Sequence, residues 1–226
     1  MPKKQSAYYE VDGVKLIRMT SMLGATLAKP ALVPWAIKQT AEGAAEYVRA
    51  HEGSLIDTDA MTKEIKAYAN RNRDEAGRRG TEFHEAAMLV FEEEPPVAPG
   101  MNALAQWVNT CGVKPIALEN VVYSRELGCA GTFDALVEIQ GKKVLVDYKT
   151  GGVYQDHAIQ LAGYAGMWQR MNPGKEIDLC QVIQIDCEAE TYTVHTVNDW
   201  LGWYDRGFLP LLQVWTTTRG KPFTTG

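Results

Sequence analysis

Two aspartates near the middle of the chain, Asp134 and Asp147, lie in segments that read as neighbouring β-strands. Gln140 and Gly141 stand between the two segments. If these two residues form the hairpin loop, Asp134 lies directly opposite Asp147 and their Cβ atoms are ~5 Å apart. Like charges at that separation are unfavourable unless a cation lies between them. The pair therefore predicts a site for a hard divalent cation with oxygen ligands.

A lysine follows two residues after the second aspartate. Because side chains alternate along a strand, Lys149 points to the same face as Asp147. Val144, Val146 and Tyr148 point to the other face, towards a core. An ordinary Asp–Lys ion pair in a hairpin has the same spacing. The functional interpretation is favoured because a second acidic residue is predicted to lie opposite on an otherwise apolar strand pair.

Three further candidate residues lie on predicted helices. His84 shares one helix face with Gly80, one turn earlier, so that a metal or a phosphate backbone can approach the imidazole closely. A histidine packed against Ala87 is the alternative. Gln160 and Tyr164 are four residues apart and are therefore neighbours on one helix face. Tyr164 also suits core packing, because a tyrosine combines an apolar body with a polar tip.

The elements that position these residues form one predicted domain, residues 1–226. Residues 1–112 read as mainly helical after a short hairpin, and residues 113–226 read as a sheet with helices. The predicted fold class is α/β, or α+β: a mixed central sheet flanked by helices, with a helical N-terminal subregion. The predicted elements around the candidate residues are a helix over 74–91, strands over 116–123, 131–139 and 143–148, a helix over 156–171, strands over 179–186 and 191–197, and a closing helix over 199–214.

Composition and charge limit the partners of the chain. No apolar run approaches the ~18 residues that a membrane span needs, so no membrane partner is expected. The net charge of −5 argues against a surface that binds nucleic acid everywhere. Residues 63–80 nonetheless carry six basic and three acidic residues. This basic stretch predicts a local groove in which Arg73 and Arg78 contact phosphates, with a solvated helix face as the alternative.

Four short motifs occur in an order and at spacings that match a known family. They are Gly80-Thr81-Glu82-Phe83-His84, Gly131-Thr132-Phe133-Asp134, Asp147-Tyr148-Lys149-Thr150-Gly151 and Gln160-x-x-x-Tyr164. With these motifs the chain resembles the PD-(D/E)XK nuclease superfamily, in its RecB-type exonuclease branch. A lead-in that begins at Met19 is similar to that of phage-encoded members. The resemblance runs from about Arg18 to Trp168 and implies the restriction-endonuclease-like core of that superfamily.

The resemblance also implies which residues form a metal-dependent nuclease site. Asp134 and Asp147 would be carboxylate ligands of Mg²⁺ or Mn²⁺. His84 and the backbone carbonyl of Tyr148 would complete the ligand set. Lys149 would orient or deprotonate the attacking water and offset the charge that builds on the scissile phosphate.

Other residues have less central roles in the resemblance. The family often has a glutamate at the place of Glu119, either in the metal site or beside it, and a solvated strand residue is the alternative. Gln160 and Tyr164 would line the site, where they touch the nucleic acid or steady Lys149. Some relatives bind an iron–sulfur cluster through four cysteines. The four cysteines of this chain do not match that spacing, so no iron–sulfur cluster is expected.

The function that the resemblance implies is a divalent-metal-dependent DNA exonuclease. It would hydrolyse phosphodiester bonds at DNA ends, in phage or bacterial recombination, replication or repair. The partner would be DNA that is single-stranded or has a free end, in the cytoplasm, or in the host cytoplasm if the protein is phage-encoded. Two alternatives stay open: a structure-specific or nicking endonuclease with the same site, and a non-catalytic DNA-binding module on a nuclease fold.

Overall fold

The computed structural model describes residues 3–4, 7–92 and 98–218. Within these residues the chain forms eight strands and seven α-helices. The strands, in chain order, are β1 (Lys3–Lys4), β2 (Tyr8–Val11), β3 (Val14–Arg18), β4 (Lys114–Ser124), β5 (Cys129–Ile139), β6 (Lys142–Lys149), β7 (Leu179–Asp186) and β8 (Thr191–Val197). The helices are α1 (Met19–Thr26), α2 (Leu32–Ala50), α3 (Thr58–Ala87), α4 (Met101–Cys111), α5 (Gln155–Met171), α6 (Trp200–Trp203) and α7 (Leu209–Thr218).

The chain divides into two compact units. The sheet unit comprises Met1–Leu27 and Phe83–Gly226, and the helical unit comprises Ala28–Glu82. The N-terminal hairpin, α1 and α4 therefore belong with the sheet, so the two units do not coincide with the halves 1–112 and 113–226. The helical unit consists of α2 and most of α3, whereas the last turn of α3 belongs to the sheet unit.

All eight strands lie in one mixed sheet. The strand order is β1-β2-β3-β5-β6-β7-β8, and β4 also pairs with β5. The pairs β3–β5 and β6–β7 are parallel, and the other pairs are antiparallel. A mixed sheet flanked by helices confirms the predicted fold class at that level. The predicted elements from residue 116 to residue 197 are also confirmed, with boundaries within two residues.

A tight turn sets the register of the central hairpin. Gln140 and Gly141 have φ angles of +51° and +78°. Positive φ at both positions is the conformation of a type I′ turn, which matches the twist of the strands on either side. Glycine adopts this conformation at no steric cost. With a two-residue turn at 140–141, Ala135 pairs with Val146. The predicted register is therefore confirmed along the part of the hairpin that forms a regular ladder.

The two faces of the sheet are covered by different helices. One face packs against α1, α5 and the helices after residue 200, and the other packs against α4 and the last turn of α3. Leu145 belongs to the core on the α5 side, whereas Val144 and Val146 belong to the core on the α4 side. Side chains alternate along a strand, so Asp147 and Lys149 point to the same face as Leu145, which is the α5 face.

Two helices differ from their predicted extents. The helix predicted over 74–91 is the end of the longer α3, which ends at Ala87 and continues as a 3₁₀ turn over Met88–Glu92. Gly77 and Gly80 do not interrupt α3, because a glycine in a helix costs only about 1 kcal/mol. The closing helix contains a π-turn over Tyr204–Phe208.

Proline explains that π-turn. Pro210 has no backbone N–H and cannot donate to the carbonyl four residues earlier, so the helix widens immediately before it. No helix within residues 7–92 and 98–218 combines the length and apolar character that a bilayer crossing requires.

Candidate active site

The candidate site lies at a fork in the sheet, where β5 changes its neighbour along one edge. β3 pairs with Cys129 and Ala130 of β5, and β6 pairs with residues 135–139. Beyond this ladder, Asp134 Oδ2 accepts a hydrogen bond of 2.7 Å from the backbone N–H of Tyr148. In a regular ladder the backbone N–H of Tyr148 would donate to a backbone carbonyl of the neighbouring strand. Here it donates to the side chain of Asp134, and this hydrogen bond holds Asp134 at the fork.

Glu119 of β4 faces the same aspartate from the opposite edge of β5. The register of β4 with β5 places Glu119 opposite Asp134. Glu119 has a φ of +43°, a left-handed conformation that a glutamate rarely adopts. Such strain persists only where the surroundings hold it, and it concentrates at functional sites. One ligand atom each from Glu119, Asp134 and His84 lie within 4.8 Å of one another. We call these three residues the ligand cluster.

His84 reaches the ligand cluster from the last turn of α3. The preceding residue, Phe83, is fully buried and anchors this turn on the sheet. The Nδ1 atom of His84 lies 3.3 Å from Oδ1 of Asp134. Burial lowers the pKa of His84, but the hydrogen bond and charge of Asp134 outweigh burial, and the net pKa is raised. His84 is thus held by a carboxylate and faces the fork.

The donor set of the ligand cluster suits a small divalent cation. Two carboxylates and one imidazole combine the oxygen ligands that Mg²⁺ and Mn²⁺ prefer with a nitrogen that Mn²⁺ accepts readily. The predicted ligands His84 and Asp134 are brought together, and Glu119, whose role the sequence left open, joins them. Asp147 lies outside this cluster, and its role as a ligand stays a prediction, as does that of the Tyr148 carbonyl.

Asp147 is buried beside Lys149. The Nζ atom of Lys149 lies 2.6 Å from Oδ2 of Asp147. Lys149 therefore holds the carboxylate of Asp147 both by its charge and by a short contact to Oδ2. Burial raises the pKa of Asp147 to about 6, and the charge of Lys149 opposes that shift. Burial lowers the pKa of Lys149, but Asp147 and Asp134 raise it more, so Lys149 is an ammonium group.

The predicted helix pair, Gln160 and Tyr164, holds this aspartate from α5. Gln160 Nε2 lies 3.1 Å from Asp147 Oδ1, to which it donates, and 3.4 Å from the hydroxyl oxygen of Tyr164. Tyr164 is fully buried, and burial raises its pKa well above the usual value. Gly131 allows this packing, because a Cβ at that position would overlap the Tyr164 ring. Tyr164 therefore packs in the core and also supports Gln160.

The two predicted phosphate-binding arginines are exposed on α3 in the helical unit. Arg73 forms an ion pair with Asp74, and Arg78 forms ion pairs with Glu75 and Glu82. Exposed ion pairs contribute little to stability, so phosphate groups can replace these partners. The contribution of Arg73 and Arg78 to nucleic-acid binding stays a prediction.

Two features of the site have no counterpart in the sequence patterns. One is the hydrogen bond from the Tyr148 N–H to Asp134, and the other is the left-handed backbone of Glu119, which a motif such as Asn-Gly would have signalled.

Comparison with protein-family models gives no match for this chain, and comparison with curated proteins gives none either. A proposal of function therefore depends on the geometry of the fork.

Proposed function

We propose that this chain is a divalent-metal-dependent deoxyribonuclease with a PD-(D/E)XK core, which acts as an exonuclease on DNA ends. The observation that carries the proposal is the fork between β5 and β6. It holds buried Asp147 against the ammonium group of Lys149, and Asp134 of the ligand cluster is close enough to act on the charge of Asp147. Carboxylates for a cation and a fixed positive charge are the groups that metal-assisted phosphodiester hydrolysis uses.

Each side chain has a role in the proposed reaction. The ligand cluster would hold Mg²⁺ or Mn²⁺, which polarises the scissile phosphate when bound. Lys149 orients the attacking water and stabilises negative charge on the phosphate oxygens. Asp147 is the further carboxylate that the resemblance assigns to the metal, and it also fixes the position of Lys149. Gln160 keeps Asp147 in place. Hydrolysis by in-line attack leaves a 5′-phosphate and a 3′-hydroxyl.

Metal dependence is the first test of this proposal. Linear single-stranded DNA should be degraded with Mg²⁺ or Mn²⁺, and EDTA should reduce degradation to background. Excess Mn²⁺ should restore it at least as well as Mg²⁺, because the cluster includes an imidazole. Ca²⁺ should support little turnover, because its looser coordination positions the reacting groups poorly. The measurement is release of acid-soluble nucleotides.

A circular single-stranded substrate is the matched control. An exonuclease leaves the circle intact, whereas cleavage of the circle would show the endonuclease alternative. DNA binding without cleavage under any of these metals would show a non-catalytic module. Undiminished cleavage in EDTA would contradict the assignment of the ligand cluster.

The basic stretch gives a second prediction. Replacing Arg73 and Arg78 together by glutamine should weaken binding to single-stranded DNA of every sequence. The slope of log affinity against log salt should become shallower by ~0.7 for each lost phosphate contact. Turnover at saturating DNA should change little, because neither arginine belongs to the fork. Fluorescence anisotropy over a salt series measures both quantities.

A matched control for this pair is Arg49→Gln, an exposed arginine of the helical unit outside the basic stretch. This variant should keep the wild-type salt slope. Wild-type affinity and slope in the double variant would show that the stretch is only a solvated helix face.

A further inference from the structure

A second concave surface lies in the sheet unit, where α5 begins. Its volume is about 410 Å³. None of the described residues that line it is acidic, although the chain has 28 acidic residues. We call it the β8 groove; the residues that line it include Val153, Tyr154, Ala158, Val182, His195 and Val197, and its two other lining residues are polar and uncharged. Its lining thus combines apolar side chains, an aromatic ring and an imidazole, without a charge that would repel a phosphate.

The β8 groove continues the face of the sheet that carries the candidate site. Asp147 of β6 is the register partner of Val182 of β7, which is in turn the partner of His195 of β8. Register partners share a face, so these three residues form one row across the strands. Two strand spacings of ~4.8 Å separate the ends of the row. About three nucleotides of a stacked strand, at ~3.4 Å each, span that distance.

Hydrogen bonds connect the groove to the loop that follows the catalytic lysine. Gln184 Nε2 donates to the carbonyl oxygen of Gly151, two residues after Lys149, at 3.0 Å. The amide oxygen of Gln184 lies 2.9 Å from His195 Nε2. Because that oxygen only accepts, His195 Nε2 must carry the proton. In the neutral tautomer that fits this contact, Nδ1 of His195 is a hydrogen-bond acceptor, the partner that the amino and ring N–H groups of nucleobases require.

Tyr154 provides the aromatic surface of the groove. The residue is 55% exposed, unlike the buried Tyr148 and Tyr164. The backbone N–H of Tyr154 donates to Nδ1 of His157, and the centroids of the two rings lie 5.9 Å apart, so the Tyr154 ring has a fixed place at the start of α5. An exposed ring beside an apolar groove is the element on which proteins stack the bases of single strands.

We propose that the β8 groove binds a nucleobase of single-stranded DNA, a few nucleotides from the bond that is cut. Tyr154 stacks on the base, the Nδ1 atom of His195 accepts a hydrogen bond from it, and the valines pack against the sugar. This inference rests on the proposed function in that it takes the substrate to be DNA. It adds that the substrate is single-stranded at this place, because a base stacked inside a duplex has no free face for the Tyr154 ring. Sequence preference is expected to be weak, because every base has a stacking face.

Binding of a labelled single-stranded oligonucleotide tests the groove without relying on cleavage. Anisotropy is measured with Ca²⁺ present, and Tyr154→Ala is expected to raise Kd by about 5- to 150-fold, the range of a lost base stack. Tyr154→Phe keeps the ring and should bind like the wild type. His195→Ala should raise Kd by about 2- to 12-fold, the range of one hydrogen bond. The matched control is Val194→Ala, partly exposed on the opposite face of β8, which should leave Kd unchanged.

An oligonucleotide with abasic sites separates stacking from a general loss of structure. The wild type should bind it more weakly, and Tyr154→Ala should weaken that binding no further. If Tyr154→Ala has a lowered Tm in circular dichroism, His195→Ala replaces it, and its binding to the normal and the abasic oligonucleotide is compared in the same way. Wild-type Kd in both Tyr154→Ala and His195→Ala would overturn the inference, as would no binding of the normal strand by the wild type.

The same set of proteins separates this inference from the proposed function. A wild type that binds through Tyr154 but cleaves no DNA with any metal would overturn the nuclease proposal and leave the groove assignment standing. If the wild type cleaves DNA and the groove variants bind and cleave DNA normally, the groove assignment is overturned and the nuclease proposal stands.

Discussion

Replacement of Lys149 by methionine is expected to lower kcat for single-stranded DNA by roughly 10²- to 10³-fold, the usual effect of removing one electrostatic group from a catalytic site. Methionine keeps the unbranched apolar stem but removes the ammonium group that lies 2.6 Å from Asp147. The binding of DNA, measured by anisotropy, should change far less than kcat. Single-turnover cleavage with excess enzyme measures the chemical step directly.

Two control variants accompany this change. Lys142→Met is the same substitution at an exposed position of the same strand, and it should leave kcat unchanged. Lys149→Arg keeps the charge but replaces a compact ammonium by a planar fork, so recovery should be partial at best. Wild-type kcat in Lys149→Met would show that Lys149 is only the partner of an ordinary ion pair.

The stability of the metal-free Lys149→Met protein should depend on pH in a defined direction. Burial raises the pKa of Asp147 to about 6 in the folded protein, above its ordinary value of 3.8. A raised carboxyl pKa stabilises the fold at low pH, and this contribution is lost as the pH rises through that interval. Removal of Lys149 raises the folded pKa further. The loss of Tm relative to wild type should therefore be small at pH 5 and larger at pH 8.

Replacement of Asp134 by asparagine is expected to abolish metal-dependent cleavage while keeping the metal-free free energy of unfolding within about 1 kcal/mol. An asparagine side-chain oxygen can still accept the hydrogen bond that the backbone N–H of Tyr148 donates to Asp134. The change also removes repulsion, because the charge of Asp134 raises the pKa of Asp147. It also removes the attraction of Asp134 for His84 and Lys149, so the two effects oppose each other. A free energy of unfolding within about 1 kcal/mol of wild type is therefore expected in urea denaturation with EDTA.

Asp134→Ala distinguishes the two roles of this carboxylate. Alanine removes the acceptor and leaves the Tyr148 N–H unpaired, which should cost about 1–3 kcal/mol in addition to the loss of cleavage. Glu138→Gln, a half-exposed position of the same strand, is the control and should affect neither quantity. An asparagine variant that is as unstable as the alanine variant would mean that the negative charge of Asp134 holds the fold. An asparagine variant that cleaves normally would remove Asp134 from the site.

Local sequence patterns were sufficient to predict the β5–β6 hairpin and the residues that share one face of α5. Alternation along β6 correctly predicted that Asp147 and Lys149 share a face while Val144 and Val146 point into a core. The two-residue loop was sufficient for the register, because a type I′ turn allows only one pairing of its flanking strands. The spacing of Gln160 and Tyr164 likewise placed them side by side. These relations join residues close in sequence, and backbone periodicity alone determines them.

Tertiary packing decided the relations between distant segments. His84 comes from the end of α3 and Glu119 from β4, and no periodicity states that both reach Asp134. The predicted start of this helix was also wrong, because α3 begins at Thr58 and the predicted helix begins at residue 74. The contact of Gln160 with Asp147 required α5 to lie over β6. Such contacts follow from which apolar faces are buried together, and that choice is made by the whole fold.

The geometry of the fork could not be predicted from the sequence. The aspartates at positions 134 and 147 were predicted as regular cross-strand neighbours, but the ladder stops at Ala135 and Val146, and the carboxylate of Asp134 binds the backbone of Tyr148 instead. The residue types by themselves therefore determined that carboxylates and a lysine meet on one hairpin. The parting of β5 and β6 depends on β3, which pairs with the same edge of β5 beyond the end of the β6 ladder. The left-handed turn at Glu119 lies on β4, at the other edge of β5, and brings a third ligand group to Asp134. Only the folded chain decides where β3 and β6 divide the edge of β5, because each strand edge can satisfy its hydrogen bonds with one neighbour at a time.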